Sequence, residues 1–318
     1  MEEFDFYPPK PELVEPKVKS SLSVTVFSLV LFVMAFLLFF GDELNFILYL
    51  VLVLMFHELG HYVAMKVFGY ENVRMLFIPL MGAFVQGKKP EYSQKQSFIV
   101  TLAGPIPGLI LGTVLFYIGL TYHFYWMVEL SALFLLLNIV NLFPLDPLDG
   151  GQLFKLYVRR NSEMFLMVFA LVSSLLIIGL GWLLDSYIIM IFGFIMSLRV
   201  RALQKQHQMH KEFNEEKINY EVSYRLLSNR DFIRIKEILL NNTPPLKNYV
   251  ELVSEEESNP VLASQVNNVL KTPVKQDAGI FFKLMVILIW IAAFSLPVIL
   301  YLTVNLNWLW SFIYLENR

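Results

Sequence analysis

The stretch "NFILYLVLVLMFHELGHYVAMKVFGY", residues 45–70, is apolar enough to cross a membrane, yet it holds His57, Glu58 and His61. Hydrocarbon tolerates such groups only when they are paired or face a watered cavity. His57 and His61 are four residues apart, so on a helix both imidazoles leave one face, a turn from each other. That spacing suits two ring nitrogens on one Zn2+, and the adjoining glutamate is then placed as general base toward a metal-bound water. A hydrogen-bonded histidine pair beside an ion-paired glutamate is the alternative, but no basic residue of the span is placed to pair with Glu58.

The rest of the chain supports a membrane setting. Of its 318 residues, 56% are hydrophobic and only 16% are charged, and the mean hydropathy is +0.56. The excess gathers into long uncharged runs. Residues 22–40 contain no charge at all, which is long enough for a transmembrane helix. A net charge of −2 gives no field for nucleic acid, and with no cysteine there are no disulfides and no thiolate ligands. The acidic, proline-rich start and the lack of small residues after the first run point to a retained span, not a signal peptide.

Seven apolar segments stand out, at 22–40, 45–68, 98–120, 124–143, 164–184, 186–198 and 280–304. The sixth is short, and Asp185 is the lone charge within 164–198. Lys155, Arg159 and Arg160 precede this stretch, and Arg199, Arg201 and Lys205 follow it. The positive-inside rule puts both clusters in the cytoplasm, so a hairpin with Asp185 near its apex is expected. Basic and non-basic loops alternate elsewhere too, which predicts a cytoplasmic N-terminus.

The expected fold is an all-α polytopic membrane protein of about seven transmembrane helices. Its expected parts are a cytoplasmic tail (1–20), a membrane domain (21–198), a small helical cytoplasmic segment (199–278) and a last transmembrane helix with its tail (279–318). Within 199–278, "YEVSYRLLSNRDFIRIKEILLNN" and "NPVLASQVNNVLKTP" have helical apolar spacing, and "TPP" interrupts it. "LFIPLMGAFVQGKKP", residues 76–90, reads as a short β-hairpin at the membrane. Pro105 and Pro107 should kink the third span. His207 and His210 read as part of a solvated basic helix near anionic lipid.

A catalytic zinc needs a third protein ligand and an open position. The fourth span ends in "LLLNIVNLFPLDPLDGGQ", residues 135–152, where Pro144 stops the helix. Asp146 and Asp149 are the carboxylates within reach. Gly150 and Gly151 favour Asp149 by permitting a close approach, whereas Asp146, before Pro147, could equally cap a loop. Asn138, one turn before Asn141, is expected to face a neighbouring helix.

An H-E-x-x-H in a span, followed by Asn141, Pro144, Leu148, Asp149 and Gly150 in an N-x-x-P-x-x-x-L-D-G pattern, resembles the site-2 protease family of intramembrane zinc metalloproteases. "AGPIPGLILG", residues 103–112, is similar too. The likeness covers 45–151, the family's three-helix catalytic core. It implies His57, His61 and Asp149 as ligands of one catalytic Zn2+, Glu58 as catalytic base, and Asn141 in contact with substrate backbone or the developing oxyanion. It also implies a β-hairpin that holds substrate in extended form and transmembrane segments of other membrane proteins as substrates. The loop charges instead, with Glu58 and His61 in the inner half of a span entering from outside, place the active site toward the cytoplasmic side. A membrane receptor or scaffold that binds metal and transmembrane helices without cutting them would need the ligands but no base. A metal transporter would carry polar ligands along several spans, which spans one, five and seven lack.

Overall fold

The computed structural model describes residues 7–13, 21–41, 44–79, 82–157 and 163–303. Arg159, Arg160, most of the N-terminal tail and residues 304–318 lie outside the described residues.

The elements run α1 (Ser21–Phe40), α2 (Leu44–Val67), β1 (Glu71–Ile78), β2 (Gly82–Lys88), β3 (Tyr92–Ser93), α3 (Gln94–Ala103), α4 (Pro105–Tyr122), α5 (Tyr125–Asn141) and α6 (Asp149–Tyr157). After them come α7 (Glu163–Leu183), α8 (Tyr187–Glu215), a 3-10 turn at Tyr224–Leu226, α9 (Asn229–Asn241), α10 (Pro244–Leu252), α11 (Glu255–Val269), β4 (Val274–Lys275) and α12 (Ile280–Thr303). Among the described residues, five helices are long and apolar enough to cross a membrane: Leu44–Val67, Gln94–Tyr122, Glu163–Leu183, Tyr187–Glu215 and Ile280–Leu300. Leu22–Leu38 and Tyr125–Asn141 are apolar but shorter.

The chain divides into two compact units, one built from residues 24–87, 95–158 and 277–318. In it α2 turns one face inward. Ile47, Leu50, Val53, His57, Glu58 and His61 are buried, while Leu48, Leu52, Met55, Leu59 and Val63 point outward. That three-and-four spacing is the helical period, and the outward row suits lipid. Val53, Leu130 and Phe134 form a buried cluster between α2 and α5. A second cluster joins Phe98, Leu109, Leu142 and Leu153 to Val286 and Ala293 of α12. Trp290 adds its indole N–H to Leu142 O at 2.8 Å, giving a carbonyl freed by the end of α5 a donor.

The third apolar run is broken as the prolines foretold. α3 ends at Ala103, Gly104 interrupts, and Pro105 opens α4, where its missing N–H costs nothing. The hairpin is also present. β1 and β2 pair as a two-stranded sheet, and their short connection makes the pair antiparallel. Thr25 and Ser28 of α1 bond to Met75 O at 2.7 Å and to Phe77 N–H at 3.2 Å, so hydroxyls satisfy part of β1's backbone.

The other unit holds residues 1–23, 88–94 and 159–276. α7 and α8 form the expected antiparallel pair, turning at Asp185, whose φ is 51°. The sixth segment is not short, however: α8 runs unbroken for 29 residues, from the apolar stretch into the polar one. Phe213, Ile235, Ala263 and Val266 are fully buried in the core of the helical module that follows. Ser228 caps α9 by accepting from Asp231 N–H at 3.0 Å. "TPP" does end α9, but it also starts α10, a helix the sequence reading did not expect. β3 and β4 pair in parallel and were likewise unforeseen.

His210 corrects the reading of a solvated basic face. It is 1% exposed, bonded through Nδ1 to Glu163 and through Nε2 to Val269 O at 2.8 Å. His207 also bonds to Glu163, at 2.8 Å.

Candidate metal centre and active site

Three ligand atoms converge from two elements. His57 and His61 project from α2, and Asp149 is the first residue of α6. Their Nε2 atoms are 3.1 Å apart, and Asp149 Oδ2 lies 3.0 Å from that of His57 and 3.3 Å from that of His61.

The protons of this cluster follow from its surroundings. The Asn138 amide N–H2 donates to Phe134 O at 2.7 Å, which turns its Oδ1 toward His57 Nδ1, also at 2.7 Å. His57 therefore carries its proton on Nδ1. His61 Nδ1 faces Val100 O at 2.8 Å and must donate as well. Both Nε2 atoms then present lone pairs to each other and to a carboxylate oxygen. Asp149 Oδ2 is buried without a hydrogen-bond donor. A single proton could bridge only two of the three acceptors, whereas a divalent cation serves all of them. Tetrahedral zinc with ligands at roughly 2.0–2.1 Å has ligand-to-ligand edges of about 3.3 Å, close to the spacing observed. The described residues contain this one group of three that could hold a metal ion, and its donor set fits zinc.

Close packing makes the convergence possible. A Cβ on Gly104 would lie 2.3 Å from His61 Nε2 and 2.9 Å from His57 Nε2, so only glycine leaves that space open. A Cβ on Gly150 would lie 1.9 Å from Leu142 O. That close approach lets α6 fold back directly after the end of α5 and brings Asp149 to the histidines.

The two aspartates part company. Asp146 is buried and ion-paired with Lys155 of α6, outside the ligand group. Glu58 is buried beside the ligands, accepts a hydrogen bond from Val85 N–H of β2 and keeps Oε2 without a partner. Asn141 is half-buried at the end of α5 and is not one of the ligand group. Asn138 does face a neighbouring helix as expected, but its partner there is His57 of the candidate ligand group, a contact its sequence position does not announce. A buried amide inside an apolar helix was the available signal.

Partners that orient a ligating histidine are worth roughly 10–100-fold in metal affinity. Asn138→Ala is expected to weaken zinc binding by that factor with one site per chain retained, as measured by competition with a chromogenic chelator.

A glutamate with one free oxygen beside a two-histidine, one-aspartate cradle is chemically suited to deprotonating a metal-bound water. Residues 45–130 match the model of Peptidase family M50. The match holds His57, Glu58 and His61 and stops before Asp149, whose place in the site rests on the geometry above.

The chain is similar to zinc metalloprotease MJ0392 of Methanocaldococcus jannaschii, 28% identical over 110 residues, which are 33% of this chain and 32% of that protein. It is also similar to stage IV sporulation protein FB of Bacillus subtilis, 30% identical over 122 residues, 36% of this chain and 41% of the relative. The matches thus span less than half of either relative's length. Among solved structures, the site-2 protease from Methanocaldococcus jannaschii aligns with a TM-score of 0.43 at 21% identity, over 55% of this chain and 87% of that one.

Proposed function

We propose that the chain is an intramembrane zinc metalloprotease that hydrolyses peptide bonds within or beside the transmembrane segments of other membrane proteins. The observation that carries this reading is the unpartnered Oε2 of Glu58 next to three convergent lone-pair donors, two from the apolar helix α2 and one from the start of α6. Buried ionisable groups are costly unless used, and peptide hydrolysis uses all four.

In this reading His57, His61 and Asp149 hold the zinc. When bound, zinc polarises the scissile carbonyl and makes an attacking water acidic near neutral pH. Glu58 takes the proton from that water on Oε2 and returns it to the leaving amine. Val85 N–H steadies the other side of the carboxylate meanwhile. Asn138 and Val100 O keep the Nδ1 protons in place, so each Nε2 stays free to ligate. The substrate helix must unwind first, because its carbonyls are already hydrogen-bonded within the helix. β2, which reaches the site through Val85, would hold the unwound segment in extended form, and Asn141 would contact its backbone.

The two shorter apolar helices would complete seven spans, with the N-terminus and the site's opening on the cytoplasmic side, as the basic loops require. The biological setting we propose is regulated intramembrane proteolysis.

Reconstitution with a single-span substrate in vesicles tests this. Cleavage is expected inside or next to the span, to stop on zinc chelation and to return with one equivalent of zinc per chain. Cleavage confined to soluble loops, or unaffected by chelation, would refute the proposal.

A further inference from the structure

The N-terminal segment Pro8–Leu13, "PPKPEL", lies against the helical module of its own unit, and Lys10 is held on every side. Its ammonium donates to three backbone carbonyls at the 3-10 turn: Tyr224 O at 2.8 Å, Arg225 O at 3.1 Å and Leu227 O. It also lies 5.3 Å from the centre of the Tyr224 ring, within cation–π range. Asn229 Oδ1 accepts from Lys10 N–H at 3.0 Å. Tyr224 OH donates to Pro11 O at 2.7 Å, and burial pushes that phenol up to about 12, so it keeps its proton. Leu13 packs on the module's buried core.

These contacts have the form of peptide recognition. One side chain is read by a pocket, and the backbone is read on both sides of it, by Asn229 before and Tyr224 after. The bound segment suits such a site. Prolines at 9 and 11 fix φ, and Lys10, standing before a proline, is turned away from helix toward extended chain. A cage of convergent carbonyls selects a compact ammonium with three donors over the planar fork of arginine.

We propose that the 3-10 turn Tyr224–Leu226 and the start of α9 form a recognition site for an extended, proline-flanked lysine segment, occupied in cis by residues 8–13. Residues 8–13 are thus an intramolecular ligand. Only residues 14–20 separate them from α1 in sequence, and covalent attachment over so short a distance keeps a ligand at an effective concentration on the order of millimolar. A competing segment in trans must beat that figure, so the site stays closed until the strap is released. This inference stands apart from the proteolytic reading and is tested without any cleavage assay.

The probe is a fluorescent peptide of residues 5–15, added to the full-length chain in detergent micelles and followed by anisotropy. Wild type is expected to bind it weakly, because the site is filled. Lys10→Met empties the cage and should bind the same peptide at least tenfold more tightly. A peptide carrying methionine in place of the lysine should lose that gain. Adding Tyr224→Phe to the Lys10→Met chain should weaken binding several-fold. Independently, hydrogen exchange at the Lys10 amide should be slow in wild type and faster in Asn229→Ala. Equal peptide binding by wild type and Lys10→Met chains of unchanged helicity would overturn the proposal, as would an unprotected Lys10 amide in wild type.

Discussion

Replacing Glu58 by glutamine is expected to lower substrate turnover by at least about three orders of magnitude, within the usual range for loss of a general base, while metal content stays at one zinc per chain. The substitution keeps the volume and the acceptor that faces Val85 N–H, so the fold has no reason to change. What it removes is the ability of Oε2 to take a proton. Glu58 does not belong to the ligand group, so the metal should remain. Turnover and zinc content measured on one preparation therefore separate the readings. A variant that cuts normally would remove Glu58 from the chemistry, and one that loses zinc would make it a structural residue. A wild type that binds single-span segments but never cuts them, even in a single turnover, would be a receptor.

The second large effect is expected at the two aspartates, which should behave oppositely. Asp149→Ala leaves two imidazoles, too few for a catalytic zinc site. Bound zinc should fall from one per chain to below about a tenth after dialysis against a mild chelator, as zinc ligation weakens without its third donor, and activity should fall with it. Asp146→Ala instead removes the carboxylate that pairs with Lys155 on α6. Breaking a buried pair from one side typically costs about 3–5 kcal/mol, so the variant should melt earlier yet still bind zinc. Metal analysis and thermal unfolding on both variants test this. Zinc retained by Asp149→Ala and lost by Asp146→Ala would reverse the assignment.

Much of the site was readable in the chain because its signals are local. His57 and His61 are related by one helical turn, and that spacing needs no knowledge of the rest of the fold. Asp149 was favoured by its glycines, and the clash a Cβ would meet at Gly150 is the physical form of that clue. The partners that set the protons were harder to see. Asn138 meets His57 across 81 residues of sequence, and Val85 acts through a backbone N–H, which no side chain announces.

The same distance explains the misreading of His210. In sequence it sits among lysine, glutamine and arginine and looks solvated, but Glu163, 47 residues away, and Val269, 59 residues away, enclose it. Apolar runs foretold the helices, and proline marked the break at Gly104–Pro105. α8 was cut short because composition changes near residue 199 while its hydrogen-bond ladder does not.

That continuity of α8 has a mechanical meaning. At roughly 1.5 Å per residue, its 29 residues make a rod of about 44 Å. A hydrocarbon layer is only about 30 Å thick. Apolar at one end and charged at the other, the rod must emerge from the bilayer without a joint. A jointless rod does not absorb bending locally, as a flexible linker would. A sideways load on the far end becomes a torque on the buried end, where α7 lies alongside. This pair of helices is a lever whose charged arm stands in water.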